Sequence, residues 1–268
     1  MNEIVDFGSL KTYLSVTGTG DDTLLKAICT RASRIWDKLT QRQFYELSAT
    51  HRFDFQHGYI LHFYDQDLLS ATTLTNGDGN ALATYYEYPL RFYPKRWIEL
   101  DQSGGDIFTY STTPQRCIQV AGLWGFHTDY TNAWASSGDT VQNDPQIAAG
   151  ATSITVADAG NFKVQQNIKI GSEQFYITAT DEDTEILTVT PGINGTTEAI
   201  HLKDAAITIW TPDADVAHWV MRLSAWFYKQ KDAPFEKTAF PDVGVVTVPA
   251  AMPPDIAAAA KQFRRVMI

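Results

Sequence analysis

Apolar residues recur at helical spacing near both ends of the chain and at strand-like spacing between them. From Asp21 to Phe44, Leu24, Leu25, Ile28, Ala32, Ile35, Trp36 and Leu39 share one side of a helical projection. Lys26, Arg31, Arg34, Asp37, Lys38 and Gln41 fall mostly on the other side. Asp21 and Asp22 stand where a side-chain oxygen caps free backbone N–H groups and a negative charge suits the helix dipole. A shorter helix is predicted over Ser9–Ser15, joined to the long one by the turn Val16–Gly20 and so expected to pack on it. A second wide stripe (Val216, Trp219, Val220, Leu223, Trp226, Phe227) predicts a helix over Asp213–Lys231. Leu25, Ile28, Ile35 and Trp36 of the first stripe are expected to pair with Trp219, Leu223 and Trp226 of the second. A last helix is predicted over Asp255–Met267, opened by Pro253 and Pro254 and favoured by its run of alanines.

Between these helices the texture changes. His51–Phe55, Tyr59–Phe63, Ser70–Thr75, Thr84–Tyr88, Trp97–Leu100 and Ile118–Ala121 are short runs rich in β-branched and aromatic residues, separated by turn residues. Asn76–Asn80 reads as a hairpin loop, because Asn, Asp and Gly accept positive φ. Phe126–Asp144, poor in aliphatic residues, reads as a linker or exposed loop, and Asp232–Val248 as a loop. Strand-like texture with smaller residues resumes from Gly150 to about Trp210. The fold expected is α+β. Amphipathic N- and C-terminal helices pack with an antiparallel β-section to form a core of residues 1–145 and 211–268. Residues 146–210 form an inserted all-β module, a barrel or sandwich.

Composition narrows the function classes. A formal net charge of −10 argues against tight DNA binding, which needs clustered cations to displace counterions, but suits a surface that DNA slides past. Cys29 and Cys117 read as reduced, half-buried thiols of a chain made in a cytoplasm. No apolar run approaches the length of a membrane span, and the N-terminus does not read as a signal peptide.

Motifs for chemistry are sparse. No P-loop, Rossmann glycine fingerprint, nucleophile elbow or His-Glu-x-x-His is present. His51, His57 and His62 cluster around one hairpin, but surface histidines explain them better than metal ligands. Asp181, Glu182, Asp183 and Glu185 lack the periodic ligands of a calcium loop and read as a solvated turn. No catalytic residue, metal or cofactor is therefore expected. Arg91, Lys95 and Arg96, interleaved with Phe92, Tyr93, Pro94 and Trp97, form the one basic-aromatic cluster, a candidate rim for a protein interface or DNA.

The ordered set of segments carries a resemblance. SLKTYLSV, a Gly/Asp-rich turn and the long helix ending in Arg42-Gln43-Phe44 look like the N-terminus of phage head-to-tail connector proteins, the adaptors or head-completion proteins. The proline-punctuated YYEYPLRFYPKRWIEL, the stretch Val120–Phe126, the helix HWVMRLSAWFYKQKDAP and the proline-led MPPDIAAAAKQFRR are similar to later parts of that family. Residues from Gly150 to Trp210 depart from its short members and resemble small β-modules of other virion proteins. The resemblance implies a non-enzymatic virion protein at the head–tail interface. Such proteins form a homo-oligomeric ring, usually dodecameric, beneath the portal and extend the DNA channel toward a stopper or the tail. The partners implied are further copies of the chain, the portal, a stopper or tail-completion protein and, passively, genomic DNA, with no membrane. The terminal segment, with Pro253, Pro254, Lys261, Phe263, Arg264 and Arg265, is expected to be exposed and to contact the portal, so that its removal leaves the core folded. The alternatives are another neck or tail protein, a glycan- or receptor-binding module, and a hydrolase using paired carboxylates.

Overall fold

The computed structural model describes residues 1–231, 238–240, 244–246 and 251–265. The helices are α1 (Phe7–Leu14), α2 (Asp22–Thr40), α3 (Ala214–Lys229) and α4 (Pro254–Phe263). The strands run β1 (Leu47–Phe53), β2 (Ile60–His62), β3 (Leu68–Thr75), β4 (Ala81–Leu82), β5 (Tyr85–Tyr88), β6 (Trp97–Leu100), β7 (Ile118–Trp124) and β8 (Trp134–Thr140). They continue as β9 (Gln146–Ile147), β10 (Ser153–Thr155), β11 (Asn167–Ile170), β12 (Glu173–Asp181), β13 (Ile186–Thr190), β14 (His201–Leu202), β15 (Ala206–Trp210), β16 (Thr238–Phe240) and β17 (Gly244–Val246). The fold is mixed α+β. Its described sheets are antiparallel and none closes into a barrel.

The helices form one layer. Trp36 is fully buried with Ala32, Phe44, Val216, Val220, Leu223, Ile256, Ala259 and Ala260, and Ile35, Trp219 and Trp226 flank that cluster. Leu25 and Ile28 lie one to three turns back along α2, packed with Leu10, Cys29 and Ala225. Burying such side chains contributes roughly 1.5–3 kcal/mol each, which is why an amphipathic stripe this wide is covered from three sides. The stripe is narrower than its periodicity implies, since Leu24 and Leu39 remain exposed. Cys29 is fully buried rather than half-buried.

The terminal helix departs most from expectation. It is not an exposed appendage: Ile256, Ala259 and Ala260 are buried against α2 and α3, and Phe263 packs on Trp36 and Phe126. Small residues at Ala259 and Ala260 let α4 approach closely. The helix also ends earlier than its alanine-rich pattern predicts. Arg264 is extended, and the Arg265 backbone N–H donates to the Thr40 carbonyl at 2.9 Å.

The β-section contains a four-stranded sheet, β1-β7-β3-β4, and a three-stranded sheet, β2-β6-β5. In β7, Ile118, Val120 and Trp124 alternate inward. At Gly122 a Cβ would strike the Ser70 carbonyl oxygen, so the bulged β3 lies closer there than any side chain allows. Asn76–Asn80 closes the β3–β4 hairpin, with the Asn76 N–H donating to the Asn80 carbonyl at 2.8 Å.

The second sheet is open, in the order β10-β13-β12-β11-β15-β8. Its edge strand β8 comes from the stretch that reads as a linker. Polar Trp134–Thr140 pairs with β15 through backbone groups, an interaction that hydrophobicity does not register. The segment Asp232–Val248, expected as a loop, contains the paired strands β16 and β17.

A polar seam joins this sheet to the rest. Glu46, 2% exposed, accepts hydrogen bonds from Tyr130 Oη at 2.5 Å, Trp134 Nε1 at 2.8 Å and Gln174 Nε2 at 2.9 Å, with Lys169 Nζ 3.4 Å away. Trp210 Nε1 donates to the Phe44 carbonyl at 3.1 Å, and Asn2 is hydrogen-bonded to both Asn167 and Asn194. Buried polar groups paired across the seam favour one relative placement of the two parts.

Candidate functional site

Two surface features stand out, and both arise from the three-stranded sheet. The first is a cleft of about 400 Å³ lined by Arg42, His62, Phe63, Tyr64, Gln66, Asp67, Arg96, Trp97, Gln262, Arg264 and Arg265. Each wall is set by a local rule. Helix α2 ends at Gln41 in the left-handed region (φ 55°), and the Gln41 and Arg42 N–H groups turn back onto the Asp37 carbonyl. That reversal puts Arg42 under the helix end. Its Nε donates to the Phe263 carbonyl at 2.7 Å, and its guanidinium lies 4.5 Å from the centre of the Phe126 ring. The extended backbone after α4 delivers Arg264 and Arg265, and β6 delivers Arg96 and Trp97.

Among the described residues, four arginines thus share the cleft with one carboxylate, Asp67. Asp67 accepts from Arg42 Nη1 at 2.7 Å and from Arg265 Nη2 at 2.6 Å. Burial depresses the Arg42 pKa, Asp67 opposes that, and the neighbouring positive charges of Arg265 and Arg96 depress it further. Arg265 Nε is buried with no hydrogen-bond acceptor among the described residues. Arg96 and Arg264 are exposed, and neither guanidinium has a hydrogen-bond or ion-pair partner among the described residues. Among the described residues the cleft therefore holds more positive charge than Asp67 neutralises, on an acidic chain. Aromatic rings complete its lining: His62 stacks on Tyr64 at 5.7 Å, and Trp97 stacks on Tyr88 at 5.5 Å.

The second feature is the turn from Pro89 to Pro94 between β5 and β6, flanked by cis Tyr88-Pro89 and Tyr93-Pro94 bonds. Lys95 is no rim residue. It is buried, and its Nζ donates to the carbonyls of Pro89 at 2.8 Å and Leu90 at 3.1 Å beside the Tyr93 ring. Burial lowers its pKa while Glu87 opposes the shift. The ammonium ties the turn shut from inside, and Leu90 (62% exposed) and Phe92 (69% exposed) stand outward. The turn is an apolar prong with Arg91 exposed beside it.

The basic residues singled out in sequence therefore divide. Arg96, Arg264 and Arg265 meet in the cleft, Arg91 stays on the prong, and Lys95 turns inward. Lys261 is exposed, Pro253 half-buried and Pro254 exposed at the start of α4, while Phe263 is part of the helical core. Sequence reasoning missed Arg42 and Asp67 as site residues. Arg42 was visible only as part of Arg42-Gln43-Phe44, and nothing local marks Asp67. The three histidines do not converge: His51 packs edge-on to Trp124 and His57 to Phe55, while His62 lines the cleft. Asp181 accepts from the N–H groups of Asp183 and Thr184, closing the β12–β13 turn.

No protein-family model matches the chain, and no characterised protein or solved structure is significantly similar to it. Among the described residues, no helix is long and apolar enough to cross a membrane.

Proposed function

We propose that the protein is a structural subunit of a phage neck, a head-to-tail adaptor that assembles side by side into a ring under the portal and continues the DNA channel toward a stopper or tail. The observation that carries this reading is the apolar prong. Leu90 and Phe92 are held outward by an internal lysine tether, on a chain whose wide helical stripes are already largely covered. Exposed large apolar groups on a rigid support are what a protein interface needs at its centre. A second exposed pair, Ile200 and Leu202, lies at the strand β14, remote in sequence from the prong. Two different apolar patches suit head-to-tail contact between copies, the symmetry that closes a ring. The order of segments at both chain ends supports the family reading, and the net charge of −10 suits a wall past which DNA slides.

The test is assembly with a portal. Electron microscopy of the protein mixed with portal is expected to show rings capping it. The doubly substituted Leu90→Asp, Phe92→Asp chain should stay monomeric and leave portals bare while melting at the unsubstituted temperature. Rings formed equally well by that variant would overturn the prong's role, and portals never capped by the unsubstituted protein would overturn the adaptor reading. A glycan-binding module is the second reading, favoured by the exposed Tyr64, Tyr86 and Tyr110; saturable binding to a glycan array would favour it instead.

A further inference from the structure

The ring reading rests on the prong and not on the arginine cleft, although the cleft gathers Arg264 and Arg265, expected at the portal contact, and Arg96, expected at a rim. Among the described residues its charges do not balance from within: Asp67 is shared by Arg42 and Arg265, and Arg96 and Arg264, which come from different elements, have no partner of their own. Planar guanidinium groups present paired N–H donors that match the oxygens of a tetrahedral oxyanion. Two exposed guanidiniums that line one cleft, without partners among the described residues, are available to an anion that enters it. The buried Arg265 Nε adds a donor still lacking an acceptor.

The remaining lining says more about the ligand than its charge. His62, Tyr64 and Trp97 form part of the same surface, and Tyr64 is 52% exposed. His62 already stacks with Tyr64 and Trp97 with Tyr88, and a planar base would extend such stacks, a contact that a carboxylate-rich peptide does not make. A volume of about 400 Å³ lies within the range of sites that hold small organic ligands.

We propose that this cleft binds a nucleotide unit, with its phosphate between Arg96 and Arg264 and its base on the ring surface of Tyr64, His62 and Trp97. The unit has two possible sources, a free nucleotide or one residue of a single strand, and the chemistry recognised is common to both. Asp67 acts as the internal counter-ion that keeps Arg42 and Arg265 in place, so the two exposed arginines are left for the ligand.

The experiment is titration of the full-length protein at low salt, followed by calorimetry and tryptophan fluorescence. The probes are inorganic phosphate, a 5′-mononucleotide, a short single-stranded oligonucleotide and a glutamate-rich peptide. Saturable binding of the mononucleotide, tighter than that of phosphate alone, is expected. Arg96→Ala and Arg264→Ala should each weaken it about tenfold, the usual cost of losing one charge-assisted contact. Arg91→Ala, outside the cleft, should leave it unchanged. Both cleft substitutions are at exposed positions, and unchanged melting temperatures would show that the fold is intact. An oligonucleotide that binds more tightly than the mononucleotide, with a steeper salt dependence, identifies a strand as the source, and equal affinities identify the free nucleotide. Phosphate binding as tightly as the mononucleotide would overturn the proposal, as would binding of the peptide alone, binding of no probe, or indifference to both arginine substitutions. None of these outcomes bears on ring formation, which is read from assembly with the portal.

Discussion

Glu46→Ala is the perturbation that most directly tests how the six-stranded sheet is held. The Glu46 carboxylate collects Tyr130 Oη, Trp134 Nε1 and Gln174 Nε2 within 2.9 Å, and Lys169 Nζ at 3.4 Å, in a site only 2% exposed. Its surroundings register the charge. Burial lowers the Lys169 pKa while Glu46 opposes that, and the Tyr130 phenol is pushed up by burial first and by Glu46 second. Truncation removes the shared acceptor and leaves three neutral donors and one ammonium facing a small void. A buried donor without an acceptor costs about 1–3 kcal/mol. The vacated volume admits some water and Lys169 is partly solvated, so the net loss expected is about 3–6 kcal/mol, below the sum of the separate costs. Against a typical total of about 5–15 kcal/mol that is a large fraction. Urea unfolding followed by tryptophan fluorescence and by circular dichroism measures it. Glu46→Gln keeps the volume and one acceptor and should lose about half as much. Removing the lysine in the double variant Glu46→Gln, Lys169→Met should recover part of that loss, because the two residues interact. A loss below about 1 kcal/mol for Glu46→Ala would refute the reasoning, since a hub whose donors rehydrate freely would not fix the sheet's placement.

Three further outcomes follow from the helical layer. Burial raises the Asp37 carboxyl to about 7, outweighing Arg34 at 3.1 Å. Because the folded value lies above the ordinary one, the protonated form favours folding, and that stability is lost as pH rises through about 7. Asp37→Asn should therefore be more stable than the parent at mildly alkaline pH and converge with it under acid; denaturant midpoints across that range check the sign. Ile256→Ala should cost about 2–4 kcal/mol in unfolding free energy, as a fully buried aliphatic truncated among Trp36, Val220 and Leu223 does. Deleting residues 253–268 should destabilise the whole helical layer, where an exposed appendage would be lost without effect.

Much of the architecture was legible in the amino-acid order. The stripes on α2 and α3 follow from three- and four-residue spacing, because a helix presents those positions on one face and water drives that face under cover. Asp213 caps α3 through its own side chain, a local interaction that sequence carries directly, whereas Asp21, expected to cap α2, makes no side-chain cap and instead accepts from Tyr228 Oη and Lys231 Nζ. The Asn76–Asn80 hairpin follows from residues that tolerate positive φ, here Gly79 at 91°. Strand β8 was not legible, because a polar strand at a sheet edge is held by backbone hydrogen bonds that leave no hydrophobic period. Nor was the burial of α4, since a helix of alanines reads as equally suited to solvent or to a tight interface until its neighbours are known.

The candidate site divides along the same line. Sequence alone determined that Arg42, Arg96, Arg264 and Arg265 would be charged and would stand at element ends, where polar residues and helix dipoles place them. Only the tertiary structure decided that these ends meet around Asp67, and that Lys95 points inward and leaves Leu90 and Phe92 to the surface. The reason is physical. Helix and strand formation depend on residues a few positions apart, whereas the balance of charge in a cleft depends on segments more than a hundred residues apart, and their meeting is fixed by packing of the layers between them.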